Sequence, residues 1–285
     1  MLFQQVFNGI SIGLLYALMA SGLTVIFGLM RVVNFAHGEF YMLGAFFTVF
    51  FVNFLGYSWF FGVILAAVFT FIFGYFSDKY LLKPLKNSTL VRRALLMIGF
   101  SYFIRNLILS IIGGESRAIN FPFEKVFKIE SLDIYFSIET IIFILIAVIV
   151  FYLLNIIISK TIIGKAIRAS FQNEQMAALV GIDIKKINYI TFGIGCSLAG
   201  VAGSLLGTQF LFQPSMGMEA VGKSFIAVIL GGFGSIPGAI YGGITLGLIE
   251  NLGSAYISSQ YKDIFGFIAV ILILSLKPSG IAGKE

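Results

Sequence analysis

The chain has 285 residues, of which 59% are hydrophobic and 11% charged, with a mean hydropathy of +1.00. Soluble domains carry about a quarter of their residues as charged groups, so this composition excludes a soluble enzyme or binding module and identifies an integral membrane protein. The net charge of +6 would suit a nucleic-acid partner, but its clustering between apolar runs argues for membrane topology and no nucleic acid. Those runs are long and continuous, not ten-residue alternating segments, so the spans are expected to be helices and the fold all-α, with about eight transmembrane helices.

Crossing about 30 Å of hydrocarbon takes roughly 20 apolar residues. The first candidate is Val6–Met30. Met1–Gln5 carries no basic n-region and the run is too long for a signal h-region, so this span is expected to be retained. The second, Asn34–Gly56, begins with the polar group Asn34, His37, Gly38 and Glu39, just after Arg31. These residues read either as a polar collar at the cytoplasmic end of the span or as part of a substrate pathway. A lone histidine with one nearby glutamate does not make a metal site, although histidine titration leaves a proton-coupled carrier open.

The third span is Ser58–Phe76, followed by Ser77–Arg93 with Lys79, Lys83, Lys86, Arg92 and Arg93 against Asp78. That bias places the segment in the cytoplasm. Arg105 falls near the middle of the fourth span, Ala94–Gly113. An unpaired cation at that depth costs at least about 2.5 kcal/mol, so Arg105 is expected to face an acid in a structural ion pair, or the pathway itself. Gly114–Glu139 then carries Arg117, Lys125 and Lys128 against Glu115, Glu124, Glu130, Asp133 and Glu139, as an outside loop would.

Thr140–Ser159 leads into a second basic segment, Lys160–Lys186, with Lys160, Lys165, Arg168, Lys185 and Lys186. It is too long for a turn, too polar for a span, and reads as two short cytoplasmic helices. Asn173 is the expected N-cap, Glu174 complements the helix N-terminus, and Gly181 closes Glu174–Val180 as the C′ residue. Met176, Ala177, Leu179 and Val180 give that helix an apolar surface, suited to a groove on a partner or to the lipid surface. The next span, Ile187–Phe212, contains the one cysteine, Cys196, which has no partner for a disulfide or a Cys-based metal site within the chain.

Lys223–Ser258 is interrupted by GGFGSIPG, Gly231–Gly238, where Pro237 lacks a donor and the glycines favour unwinding. Such backbone either lines a protein cavity at membrane depth, as between the halves of a transporter, or forms an interfacial turn between two spans. Gly231, Gly234, Ser235 and Pro237 join the candidate pathway on the first reading. Gly238/Gly242, Gly243/Gly247 and Gly9/Gly13 stand at GxxxG spacing, which lets helices approach closely. Glu250 reads as an interfacial acid, and Asp263–Leu276 is the last apolar stretch. The charges place the N-terminus outside and Arg31 on the inner side. They leave the C-terminus open, because Lys277 and Lys284 favour inside while eight spans put it outside.

Three blocks, GLMRVVNFAHGEFYMLGAF (Gly28–Phe46), GKAIRASFQNEQMAALVGI (Gly164–Ile182) and KSFIAVILGGFGSIPGAIYGGITLGLIENL (Lys223–Leu252), together resemble the smaller permease of branched-chain amino acid ABC importers. The resemblance implies a single permease domain, 1–285, in the cytoplasmic (inner) membrane of a prokaryote. It also implies a second permease chain, two cytoplasmic ATPase subunits, an extracytoplasmic solute-binding protein and a small-molecule solute. Gly164–Ile182 resembles the ATPase-docking element, with Arg168 and Glu174 in it and Ala177, Ala178 and Gly181 at its small-residue positions. Solute contact by Asn34–Glu39 or Gly231–Pro237 is a reading of the interrupted segments and is not implied by the resemblance.

The chain contains no GxxxxGK[ST] sequence, and its nearest approach, Gly280–Lys284, is too short and is followed by Glu285. It is therefore expected to be a transport subunit and not an enzyme, binding no cofactor itself, with ATP used by its partners. The solute is expected to be a branched-chain or related amino acid, the alternatives within the same family being urea and short amides. A stand-alone secondary carrier using His37, Glu39 and Arg105 as coupling residues is the competing class. An intramembrane enzyme is set aside, since no nucleophile has an identifiable base.

Overall fold

A computed structural model describes residues 2–30, 34–86, 88–123, 125–129 and 134–283. Met1, Arg31, Glu124, Glu130, Asp133, Lys284 and Glu285, which entered the sequence argument, lie outside the described residues.

Helix α1 (Leu2–Met30) is followed by α2 (His37–Val49), which continues as a π-helical turn, Phe50–Phe54. Next come α3 (Trp59–Ser77), extended by irregular turns to Leu85, and α4 (Leu90–Ile112). A hairpin of β1 (Val126–Ile129) and β2 (Ile134–Ser137) precedes α5 (Ile138–Lys160). The short helices α6 (Ile162–Gln172) and α7 (Glu174–Leu179) lead to α8 (Ile184–Phe210), α9 (Met216–Gly231), α10 (Ile236–Tyr256) and α11 (Lys262–Leu276). Local signals set several of these boundaries. Thr89, Ser137, Asp183 and Ser235 each accept a backbone N–H at the start of α4, α5, α8 and α10, and Pro237 sits in the first turn of α10, where its missing donor costs nothing.

Among the described residues six helices are long and apolar enough to cross a membrane, and the α9–α10 pair, bent by 115°, makes a seventh. The sequence count of about eight is reached when α2 is added. The hairpin departs from a purely helical reading. It lies in the outside loop, where β1 and β2 pair antiparallel with Val126 opposite Ser137, and Gln4 of α1 bonds both the N–H and the C=O of Tyr135. The N-terminus of α1 is thereby at the same end as Gly114–Glu139, as the charge pattern requires.

Small residues decide how the centre packs. Gly9 and Gly13 of α1 lie against Gly247–Leu248 and Gly243–Ile244 of α10, so closely that a Cβ on Gly13 would come 2.7 Å from Ile244 Cα. Gly44 of α2 packs on Gly200 of α8 in the same way, and Thr48 donates to Ser204 across that contact at 2.8 Å. Lipid tails are as apolar as leucine, so helices in a bilayer gain by close backbone approach and by hydrogen bonds between them, which these glycines and hydroxyls allow. Helices α4, α5 and α11 form the periphery and expose Leu95, Phe103, Val148, Ile149, Ile271 and Leu272.

Helices α9 and α10 run in opposite senses, with Gly231 on Gly238 and Ala227 on Gly242. The pair therefore doubles back on itself within what was counted as a single span, and the residues after α11 return to the end that carries α6. There the Ile281 and Ala282 N–H groups donate to the Leu230 and Gly231 carbonyls at 2.8 and 2.9 Å. Ile281 and Ala282 thus lie on the side of the basic Lys160–Lys186 loop.

Candidate functional site

The start of α2 is not a surface collar. Asn34, His37 and Glu39 are buried, and His37 Nε2 donates to the Met19 carbonyl at 3.0 Å. Met19 lies eleven residues before the end of α1, about 16 Å along its axis. A collar at the cytoplasmic surface would sit level with Met30, whereas Asn34 and His37 already lie within the protein. There, Asn34 Oδ1 accepts the Ala36 N–H at 3.1 Å and the Asn34 carbonyl accepts the His37 N–H at 3.1 Å. These bonds supply the partners that backbone at membrane depth cannot take from lipid.

Arg105 and Glu39, read separately in the sequence, form one ion pair. Arg105 Nη2 donates to Glu39 Oε1 at 2.5 Å and Ser101, one turn earlier on α4, donates to the same oxygen at 2.8 Å. Gly38 meets the first turn of α9 at Gly217, so tightly that a Cβ on Gly38 would overlap the Gly217 carbonyl. Two interrupted helices, α2 and α9, therefore begin against each other in the interior. Both N-termini carry positive partial charge, and Glu39 in the first turn of α2 offsets it.

Gly231, Gly234, Ser235 and Pro237 are not brought to this place. Their segment turns beside the last residues of α1, with the Phe27 and Phe233 rings 4.9 Å apart. Positive φ at Gly232 and Gly234 makes the turn. Of the two readings of GGFGSIPG, the geometry is that of a turn at the end of the bundle. Phe171 of α6 lies against both Gly28 of α1 and Gly234 of the turn.

The cytoplasmic element follows its sequence signals closely. Asn173 Oδ1 accepts the Met176 N–H at 3.0 Å to cap α7, and Gly181 takes φ +89° after the helix ends. Ala177 is buried against the protein, while Ala178, Leu179 and Val180 are exposed. Arg168 donates to the Ile158 carbonyl at the end of α5, and Lys86 pairs with Glu174, so the two short helices are tied to the bundle at both ends.

Glu250 is a correction. Instead of reaching an interface, its side chain is wholly buried, pairing with Lys223 and accepting from Tyr16 Oη at 3.1 Å. Lys223 also pairs with Asp263, and Lys262 stands 3.7 Å from Glu250. The sequence reading missed this cluster, although Lys223 inside an apolar run and Glu250 well within a span were its signals: charges at such depth need partners.

The chain matches the family described as branched-chain amino acid transport system, permease component, over residues 5–275. It belongs to that family. It is 35% identical to the high-affinity branched-chain amino acid transport system permease protein LivH of Salmonella typhimurium, over 99% of this chain and 95% of that protein. The corresponding BraD of Pseudomonas aeruginosa is 36% identical over the same shares. The ribose import permease protein RbsC of Haemophilus influenzae aligns at 27% identity over 48% of this chain and 45% of its own. This permease is thus a multi-pass protein of the cytoplasmic membrane, and the three blocks that carried the resemblance fall on the α1–α2 connection, on α6–α7 and on α9–α10.

Proposed function

We propose that this permease forms, with a second permease chain, the pathway by which branched-chain amino acids enter the cytoplasm in an ATP-driven importer. Two ATPase subunits engage α7 and its partner copy, and a solute-binding protein delivers the solute at the outer end. This chain binds no nucleotide or other cofactor of its own in this reading.

The observation that carries it is the exposed Ala178–Val180 surface of a capped helix at the cytoplasmic end, joined through Phe171 to both the end of α1 and the α9–α10 turn. A lipid-surface helix has no need of that mechanical connection. A docking element does, because force applied at α7 must reach helices that bound the pathway. The permease then acts as a two-state gate biased by what its partners bind. Gly38, at the junction of α2 and α9, lies where a small relative movement of two elements opens or closes backbone contact.

The test is uptake of labelled leucine and urea by cells with and without this chain, repeated after the proton gradient is collapsed with ATP held constant. Chain-dependent leucine uptake that survives the collapse is expected. Loss of uptake with the gradient overturns the reading in favour of a secondary carrier, and preference for urea moves the solute to the amide branch.

A further inference from the structure

Towards the end of the bundle that carries the α11 N-terminus, a cavity of about 350 Å³ opens between α1, α2, α8, α9 and α11. Its size is in the range of small-molecule sites, and such sites combine an apolar wall with a few placed polar groups. Met19, Leu206, Leu211 and Met216 supply the wall, and Glu219, Lys223, Lys262 and Asp263 the charge.

The charges do not balance. With Glu250 directly behind them there are three carboxylates, Glu219, Glu250 and Asp263, against two amines, Lys223 and Lys262. Lys223 is shared by Glu250 and Asp263, while Lys262 reaches Glu250 only at 3.7 Å and keeps a third of its side chain exposed. Glu219 makes no ion pair among the described residues. The cavity therefore presents one carboxylate lacking a cation and, from α11, one amine that is loosely held. Glu219 and Lys262 are solvated in the open cavity, and a ligand seated against its apolar wall meets both with their charges available.

We infer that this cavity is a subsite for the zwitterion of an apolar amino acid, with Glu219 taking the ammonium, Lys262 the carboxylate and Met19, Leu206 and Met216 the side chain. The inference rests on the solute class proposed above. A simple amine would answer Glu219 alone and a simple anion Lys262 alone, whereas a zwitterion offers each of them a counter-ion and leaves the net charge of the cluster as it is.

The test uses the membrane-embedded complex of permeases and ATPases in nanodiscs, without solute-binding protein. Ser215 lines the cavity, and the native Cys196 is buried, so Ser215→Cys provides one accessible thiol in this chain, read on its own band after labelling. Leucine is expected to slow labelling of that thiol by a hydrophilic thiol reagent, while 4-methyl-2-oxopentanoate, which lacks the ammonium, does not. Glu219→Gln should raise the leucine concentration needed for protection by about tenfold or more, the worth of one charge-assisted hydrogen bond, and Glu219→Asp should restore part of it. Glu219 is exposed, so its replacement leaves the packed core alone, and an unchanged elution profile and retained ATPase subunits verify this.

Absence of protection at saturating leucine, or protection that Glu219→Gln leaves unchanged, overturns the subsite. ATP-dependent leucine import by the parent complex is measured alongside in proteoliposomes supplied with the solute-binding protein. If import stands and protection fails, the subsite alone falls, whereas absent leucine import overturns the solute assignment and the subsite with it.

Discussion

The start of α2 and the short helix α7 are both polar interruptions in an apolar chain, yet they are built in opposite ways. Helix α7 is specified by its own neighbours, with an Asn173 cap at one end and Gly181 at φ +89° at the other. The start of α2 depends on residues far along the chain, since Glu39 is held by Arg105, 66 positions later. The first is displayed at the end of the bundle and the second enclosed within it. The difference teaches that a locally encoded element can be offered to a partner, because it needs little from the rest of the fold to keep its shape.

The most severe break in that contrast should come from Arg105→Leu. It leaves Glu39 charged and buried, and removal of one partner from a buried pair costs about 3–5 kcal/mol. Unfolding in lipid-like detergent should show this loss, and Glu39→Gln in the Arg105→Leu background should recover most of it. Recovery of nothing would mean that Ser101 and the surrounding protein hold Glu39 without the guanidinium.

Gly13→Leu should cost about 1–3 kcal/mol, the usual penalty of overpacking, because α10 backbone leaves no room for a side chain. Gly181→Ala should be milder and local. Its left-handed backbone costs an L-residue about 1–2 kcal/mol, so recovery of the ATPase with the purified permease should drop while the unfolding midpoint of the spans stays in place. Ala178→Arg sharpens the comparison further. On an exposed position its effect on stability should stay within about 0.5 kcal/mol, yet ATPase co-purification and transport should be lost. Normal transport by that variant would remove α7 from the docking role.

The smallest effect should come from Lys86→Ala. Lys86 and Glu174 are about half exposed, and exposed pairs contribute under about 1 kcal/mol. A measurable shift in unfolding there would show that the loop before α4 and α7 move as one body.

The sequence by itself determined that the chain is a helical membrane protein, that its basic loops fall at one end of the bundle, and where α7 begins and ends. Hydropathy, Lys/Arg bias and capping are properties of neighbouring residues, so they survive being read one segment at a time. Even the family was legible, since Gly28–Phe46, Gly164–Ile182 and Lys223–Leu252 are contiguous blocks. Only the tertiary structure decided that His37 lies level with Met19, that Glu39 and Arg105 are one pair, that Glu250 is enclosed by Tyr16 and Lys223, and that the residues after α11 return to the α6 end. In a bilayer every apolar face is compatible with lipid, so apolarity does not say which helix meets which. That choice is made by backbone approach at Gly13, Gly38 and Gly44 and by the pairing of buried charges, and both depend on residues that are distant in sequence.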